Sequence, residues 1–427
     1  MIHIVIVRHG RTAWNDETVQ GQRFRGILDV PLAAEGVTQA RVTAHHLADS
    51  RLAAIYTSPL ERAARTAEII ATPHHLVAQR LTGLKSMNYG DWAGLLHADV
   101  AERWPDLYCA WRQNPYSVEI PAGERLRDLR ERATAAVRVA LSHHGDGETL
   151  AFITHQVVTK VLVCAMAGLP DPAHWQVRQD LCNLSRFDYD PASDTFHVVG
   201  LNDTCHLTPE LAQANSGGTR IVVVRHGQTA WNAGAGEERF RGRTDLPLDG
   251  HGLAQAQAVG EWLASEPIAA LYSGPLKRAR QTLAPLADAR GLPLQVHEGL
   301  IDISYGRFQG LTHAEALAAY PDLYRLWRSM PGQVRFPDGE ALEDIQTRLH
   351  AFLAEVTGTH AGQTVVVVGH EIVNKVLACT LLGLDLDHIW RIRQETAGID
   401  VFQQEGDRWL TLALNDTCHL ADVGAEA

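Results

Sequence analysis

Residues 221–232 read IVVVRHGQTAWN, and residues 4–15 read IVIVRHGRTAWN; ten of the twelve positions are identical. Each stretch opens with a short β-branched run, the pattern of a strand buried on both faces. Each run ends in Arg-His-Gly, a cation and an imidazole at the carboxyl end of a strand. More of the chain repeats outward from there. RFRGILDVPL at 23–32 matches RFRGRTDLPL at 239–248, and SPLERAART at 58–66 matches GPLKRARQT at 274–282. WPDLYCAWR at 104–112 matches YPDLYRLWR at 320–328, and LNDTCHL occurs at 201–207 and 414–420. The offset drifts only from 217 (226 − 9) to 213 (415 − 202), far too long for a solenoid unit. A chain of 427 residues therefore reads as a duplicated domain, 1–212 and 220–427, joined by a small polar linker at 213–219.

Within each copy, strand patterns alternate with helical ones. A helical run follows Gly36 and Gly252, and Ser58-Pro59 reads as a capped helix start. A second buried strand, 150–153 or 364–368, ends in a histidine. This predicts two tandem three-layer α/β/α domains, each with a mostly parallel sheet flanked by helices. In such sheets ligands bind beyond the carboxyl ends of the strands, where His9, His155, His226 and His370 all fall. The predicted site of the second copy is Arg225, His226, Gly227, Arg278 and His370. Gly227 permits close backbone approach, and Arg278 sits near a helix start that favours anions. Two arginines and two histidines supply an in-line attacker and donors for phosphoryl oxygens without a metal.

The ordered set RHG, T-A-W-N, G-R-T-D-x-P-L, P-L-x-R-A-x-x-T and the late strand-histidine resembles the histidine phosphatase superfamily, over nearly all of both halves. The resemblance implies that His226 takes the phosphoryl group and water then releases it. Arg225, Arg278 and His370 would hold the phosphoryl oxygens, with Asn232 and Arg243 assisting, and no cofactor is called for. The family's proton donor stands at the third position of L-x-E-x-x-x-G, occupied here by Asp302; a second branch uses the residue after the late histidine, here Glu371. The reading favours Asp302.

The first copy keeps Arg8, His9, Gly10, Asn15, Arg62 and His155. It has Ser86 at the acid position, Gln156 after the late histidine and Ile27 in place of Arg243. It reads as weak or inactive on alkyl phosphates, either still binding phosphate or acting on substrates with good leaving groups. Glu124, matched by Glu340, is either a substitute acid or an ordinary loop carboxylate. The aromatic series Trp104, Tyr108, Trp111 and Tyr320, Tyr324, Trp327 is either a packed helix face or a lid carrying Arg112 and Arg328.

The net charge of −12 excludes general binding to nucleic acid or anionic membranes, and no apolar run reaches membrane-spanning length. With no secretory leader pattern and no cysteine framework among six cysteines, the reading is a cytoplasmic protein with reduced thiols, whose partner is a small phosphorylated metabolite. Paired histidines such as His45-His46 lack metal-ligand spacing, so no metal is expected. The duplication suggests that the halves pack as an internal pseudo-dimer. His9 to His155 spans 146 residues (155 − 9) and His226 to His370 spans 144 (370 − 226). That lacks the insertion of the family's mutases, so hydrolysis is favoured over mutase-type transfer. A phosphate-sensing first domain is the reading from outside enzymology.

Overall fold

The computed structural model describes residues 1–15, 23–207, 217–232 and 238–423. Contacts divide the chain into two units, Met1–Glu210 and Leu211–Ala427. Most of the linker read at 213–219 lies outside the described residues. Its last residue, Thr219, is buried and donates its hydroxyl to the His360 carbonyl (3.0 Å), so it belongs to the second unit.

The first unit contains strands β1 (Ile2–Arg8), β2 (Leu52–Thr57), β3 (Gln79–Arg80), β4 (Thr149–Thr154), β5 (Leu184–Asp190) and β6 (Thr195–Asp203). Its helices are α1 (Ala34–His46), α2 (Glu61–Ala71), α3 (His97–Arg103), α4 (Pro105–Gln113), α5 (Leu126–Leu141) and α6 (Gln156–Ala167). The strand order is β3-β2-β4-β1-β5-β6. The first four strands run parallel, and β5 joins β1 antiparallel and turns back into β6. Val5 and Val7 pack against α1 and α2 through Ala44, Ala63, Ala67 and Ile70. The alternate side chains, Ile4 and Ile6, are equally buried and face the other way. A strand buried on both faces needs helices on both, which is why its sequence is apolar throughout rather than alternating.

The second unit repeats the plan with β7 (Arg220–Arg225), β8 (Ile268–Ser273), β9 (Leu294–Val296), β10 (Thr364–Gly369), β11 (Ile399–Glu405) and β12 (Arg408–Asp416). Its helices are α7 (Gly250–Leu263), α8 (Lys277–Arg290), α9 (His313–Ala319), α10 (Pro321–Ser329), α11 (Leu342–Thr359) and α12 (Glu371–Leu382). Val365 to Val368 of β10 are all at most 1% exposed, each worth roughly 1.5–3 kcal/mol of apolar burial.

The α/β sandwich with a mostly parallel sheet is as the sequence predicts. The antiparallel β5–β6 and β11–β12 hairpins are additional, and each LNDTCHL repeat begins inside the last strand of its unit. The helix start at Ser58 is corrected: α2 begins at Glu61, and Ser58 does not cap it. Its hydroxyl lies instead 2.7 Å from His155 Nε2. The reading of reduced thiols holds for Cys109, Cys164, Cys182 and Cys379, which are free; Cys205 and Cys418 are not among them. No helix among the described residues is long and apolar enough to cross a membrane.

Candidate active site

Parallel pairing of β7 with β10 puts Arg225 opposite Gly369, so both strands end at one edge. The His226 N–H donates to the Gly369 carbonyl (3.1 Å), and the His226 and His370 rings come to rest with centroids 5.2 Å apart. The first unit does the same with His9 and His155, whose centroids lie 5.3 Å apart. The Arg-His-Gly turn is forced by space. A Cβ on Gly227 would sit 2.6 Å from the Gly252 carbonyl oxygen, and one on Gly10 would sit 2.5 Å from that of Gly36.

His226 is 1% exposed, and its Nδ1 lies 2.7 Å from the Gly227 carbonyl. A carbonyl accepts only, so Nδ1 carries the proton and Nε2 keeps a lone pair. Burial, then Arg278 and Arg225, push the imidazole well below its ordinary value and so hold it neutral. His9 has the same tautomer through the Gly10 carbonyl (2.7 Å) and is likewise pushed down by burial and by Arg62 and Arg8.

Arg278 lies in the first turn of α8, fully buried. It donates to the carbonyls of Thr244 and Gly242 (both 2.8 Å), to Asp302 Oδ2 (2.9 Å) and from Nε to His370 Nδ1 (3.2 Å). That last bond makes Nδ1 the acceptor and leaves Nε2–H of His370 as a buried donor with no protein partner. Asn232 is fixed through its Oδ1, which accepts from the N–H and hydroxyl of Thr229 (2.7 and 2.8 Å), leaving Nδ2 buried and unpartnered. This is what the T-x-x-N spacing does: threonine orients the amide so that a donor is offered. Asn15 is held in the same way by Thr12.

The two candidate acids separate. Asp302 is 6% exposed, and burial raises its carboxyl above the usual range, opposed by Arg278. Glu371 lies between Arg225 Nη2 (3.0 Å) and Lys375 Nζ (2.8 Å), with Arg241 Nη2 at 3.8 Å. Those cations outweigh its burial and hold it well below the ordinary range. Glu371 is therefore a fixed carboxylate that braces Arg225, which corrects its reading as an alternative proton donor.

Arg243 is corrected as well. Its guanidinium pairs with Glu340 (2.8 Å) and reaches the Asp302 carbonyl (3.3 Å), so it braces the loop that carries Asp302 instead of facing the anion site. Glu340 accepts from the Ser304 N–H (2.8 Å), and Glu124 is held by Arg132 (2.6 Å). Both are loop carboxylates, and Glu124 is not among the residues that line its unit's cavity. Of the aromatic series, one member in each unit is packed into a ring cluster, as the packed-face reading has it. Trp111 and Trp327 are buried in ring clusters, while Trp111 with Arg112, and Trp327 with Arg328, also line a pocket in their own unit.

Arg241 and Arg25 were missed. Arg241 is 8% exposed and among the cations acting on His226, and Arg25 acts on His9. The signal was available: RFRG stands in both copies, and its second arginine had no role. Lys375 was missed too, although it lies four residues after Glu371 on one helix face.

In the first unit a cavity of about 320 Å³ is lined by Arg8, His9, Arg62, Ser86, His155 and Gln156, among others. The second unit has a pocket of about 120 Å³ that includes Asp302, Arg241 and Glu371. His155 Nε2 is already engaged by Ser58, where the second unit has Gly274.

The chain belongs to the histidine phosphatase superfamily (branch 1), which it matches over residues 4–204 and 221–417. It is 35% identical over 208 residues to phosphoserine phosphatase 1 of Hydrogenobacter thermophilus, covering 49% of this chain and 97% of that protein. It is 33% identical over 207 residues to a 2,3-bisphosphoglycerate-dependent phosphoglycerate mutase of Gloeobacter violaceus, covering 47% of this chain and 92% of that one. Among solved structures, YhfR of Bacillus stearothermophilus is 31% identical with a TM-score of 0.45, over 48% of this chain and 99% of that one.

Proposed function

We propose that the second unit is a phosphomonoesterase that hydrolyses a small phosphorylated metabolite through a phosphohistidine on His226. The observation that carries this reading is the neutral His226 with Nε2 unprotonated, set among Arg225, Arg241 and Arg278. Nε2 attacks phosphorus, and the bond from phosphorus to the ester oxygen breaks. The Asp302 carboxyl gives its proton to the departing alkoxide. Charge on the three equatorial oxygens is met by the arginines, the free Nε2–H of His370 and Nδ2 of Asn232. Water then attacks phosphorus, the P–N bond breaks, and the Asp302 carboxylate takes up the proton of the water. The guanidinium groups and imidazoles carry the charge, so no step calls for a metal ion or a cofactor.

The relative named for phosphoserine supports a small phosphoester as substrate, and the short span between His226 and His370 favours water over a second alcohol as acceptor. We assign the first unit phosphate binding with weak turnover, since it keeps the cage but has Ser86 where the acid stands. Steady-state assays on phosphoserine test the reaction type. Hydrolysis yields one orthophosphate per alcohol formed. An isomerised phosphoester accumulating without orthophosphate would establish transfer instead.

A further inference from the structure

The loop at the acid position is tied down differently in the two units. In the first, Arg132 of α5 closes on Glu124 through Nε (2.6 Å) and Nη2 (2.9 Å). Its guanidinium also donates to the carbonyls of Gly83 (2.7 Å), Lys85 (2.8 Å) and Ser86 (3.1 Å). Every nitrogen of that group is engaged. The counterparts in the second copy are Arg348 of α11, Glu340, and the backbone at Gly299, Ile301 and Asp302. Of these contacts Arg348 keeps the one to the Gly299 carbonyl (2.6 Å). Its Nη2 stands 3.8 Å from Glu340, and its Nε and Nη2 are buried with no hydrogen-bond partner.

Position 243 accounts for the difference. Arg243 takes Glu340 Oε1 through Nη2 (2.8 Å) and aims Nε at the Asp302 carbonyl (3.3 Å), whereas the first copy has Ile27 there and cannot compete for the carboxylate. The Ser304 N–H takes the other oxygen of Glu340 (2.8 Å). A carboxylate committed to Arg243 and to the backbone does not close on Arg348. A guanidinium without a short ion pair, in a largely water-excluded place, acts further than a paired one. Five groups act on or lie beside the Asp302 carboxyl. Arg278 bonds Oδ2 (2.9 Å), His370 Nδ1 lies at 3.7 Å, and Tyr305, Arg241 and Arg348 act on it through their charge or burial. Arg278 and Arg241 belong to the anion site. Arg348 does not line the pocket that holds Asp302, yet it is among the cations that hold this carboxyl down against its burial.

We propose that Arg243 is a positioning residue for the proton donor: by holding one oxygen of Glu340 it keeps Arg348 from closing on that carboxylate, so that the Arg348 charge bears on Asp302 and eases release of its proton to the leaving group. This rests on the reading of Asp302 as the acid and adds the pair of arginines that tunes it.

The test is the pH dependence of kcat/KM for phosphoserine, measured on the full chain. Arg243→Ile installs the first copy's residue and lets Glu340 close on Arg348, so the alkaline limb should move to higher pH by about 0.5 unit, a roughly threefold change in rate on that limb. Arg348→Met removes the charge itself and should move the limb the same way. Glu340→Gln releases both arginines from the carboxylate and should move it to lower pH. Arg243→Lys still reaches one carboxylate oxygen and should leave the limb within about 0.2 unit of its place. The position of a limb is a ratio of rates, so it does not depend on how much of a variant is folded. No shift in Arg243→Ile, or shifts in the same direction for Arg243→Ile and Glu340→Gln, overturns the proposal, because bracing alone lowers the rate at every pH. An alkaline limb that persists in Asp302→Asn overturns the acid reading instead, and the two failures are therefore distinct.

Discussion

The two units share one scaffold and differ in how each treats a proton. Both fix a neutral histidine through a carbonyl at 2.7 Å, and both surround it with arginines. Among the described residues, only the second has a buried carboxyl beside the cage with its proton affinity raised, and only there is the late histidine's Nε2–H left without a partner. The first has Ser86 at the acid position and a Ser58 hydroxyl on His155. On the proposed reading, anion binding and leaving-group protonation fall to separate residues, so that one can be lost while the other is kept.

The sharpest division between the units should come from the nucleophiles. His226→Ala is expected to lower phosphatase turnover of the full chain by about 10⁴-fold or more, while His9→Ala changes it by less than about twofold. Parallel steady-state rates on phosphoserine check this, and a large loss from His9→Ala alone would reverse the assignment.

Asp302→Asn should cost roughly 10²–10⁴-fold on alkyl phosphates and much less on p-nitrophenyl phosphate, whose leaving group needs no proton. The pH dependence follows in sign. His226 must be neutral and is pushed below its ordinary value, so the acidic limb of the rate profile lies below pH 6.5. Asp302 must be protonated for the first step, so the rate falls as pH rises through its raised value, and Asp302→Asn should flatten that alkaline limb. An unchanged limb would remove Asp302 from the role.

Returning the acid to the first unit is the converse experiment. In a His226→Ala chain, Ser86→Asp should raise residual turnover about tenfold, a fraction of the full general-acid effect because Ser58 still occupies His155. No gain would mean that the missing acid does not silence this unit.

A smaller contrast lies behind the arginines. Arg225 donates to the Gln394 carbonyl, and the Gln394 side chain holds Asp400 (2.7 and 2.9 Å); the first unit has Ser185 at that place. Burial raises the Asp400 carboxyl from 3.8 to about 7. The folded chain therefore binds this proton more tightly than the unfolded one. The stability it adds is full below about pH 4 and is lost as pH rises through about 7. Asp400→Asn should raise the Tm of the second unit at pH 8, by on the order of 1 kcal/mol in stability, and have little effect at pH 4. A fall at pH 8 would contradict the assigned burial.

The parallel core of each sheet was readable because a doubly covered strand has to be apolar throughout, and the histidine edge follows from where those strands stop. The duplicated RHG, T-x-x-N and P-L-x-R-A-x-x-T patterns located the cage residue by residue. The antiparallel hairpins of β11–β12 and β5–β6 escaped because their strands mix polar and apolar residues, as in FDYD at 187–190. Arg243 and Glu371 were misplaced for a common reason. Each carries a charge suited to the anion site, and a partner from a distant segment, Glu340 for Arg243 and Arg225 for Glu371, neutralises it only in the folded chain. Ser58 likewise had the right neighbours for a helix cap, but His155, 97 residues later, takes its hydroxyl.

The account depends on covalent transfer to one imidazole, and rapid-quench trapping with phosphorus-labelled substrate examines that step. The prediction is an acid-labile, base-stable label that forms during turnover and maps to the peptide containing His226. Substrate consumption with no labelled enzyme, or label confined to His9, would contradict it.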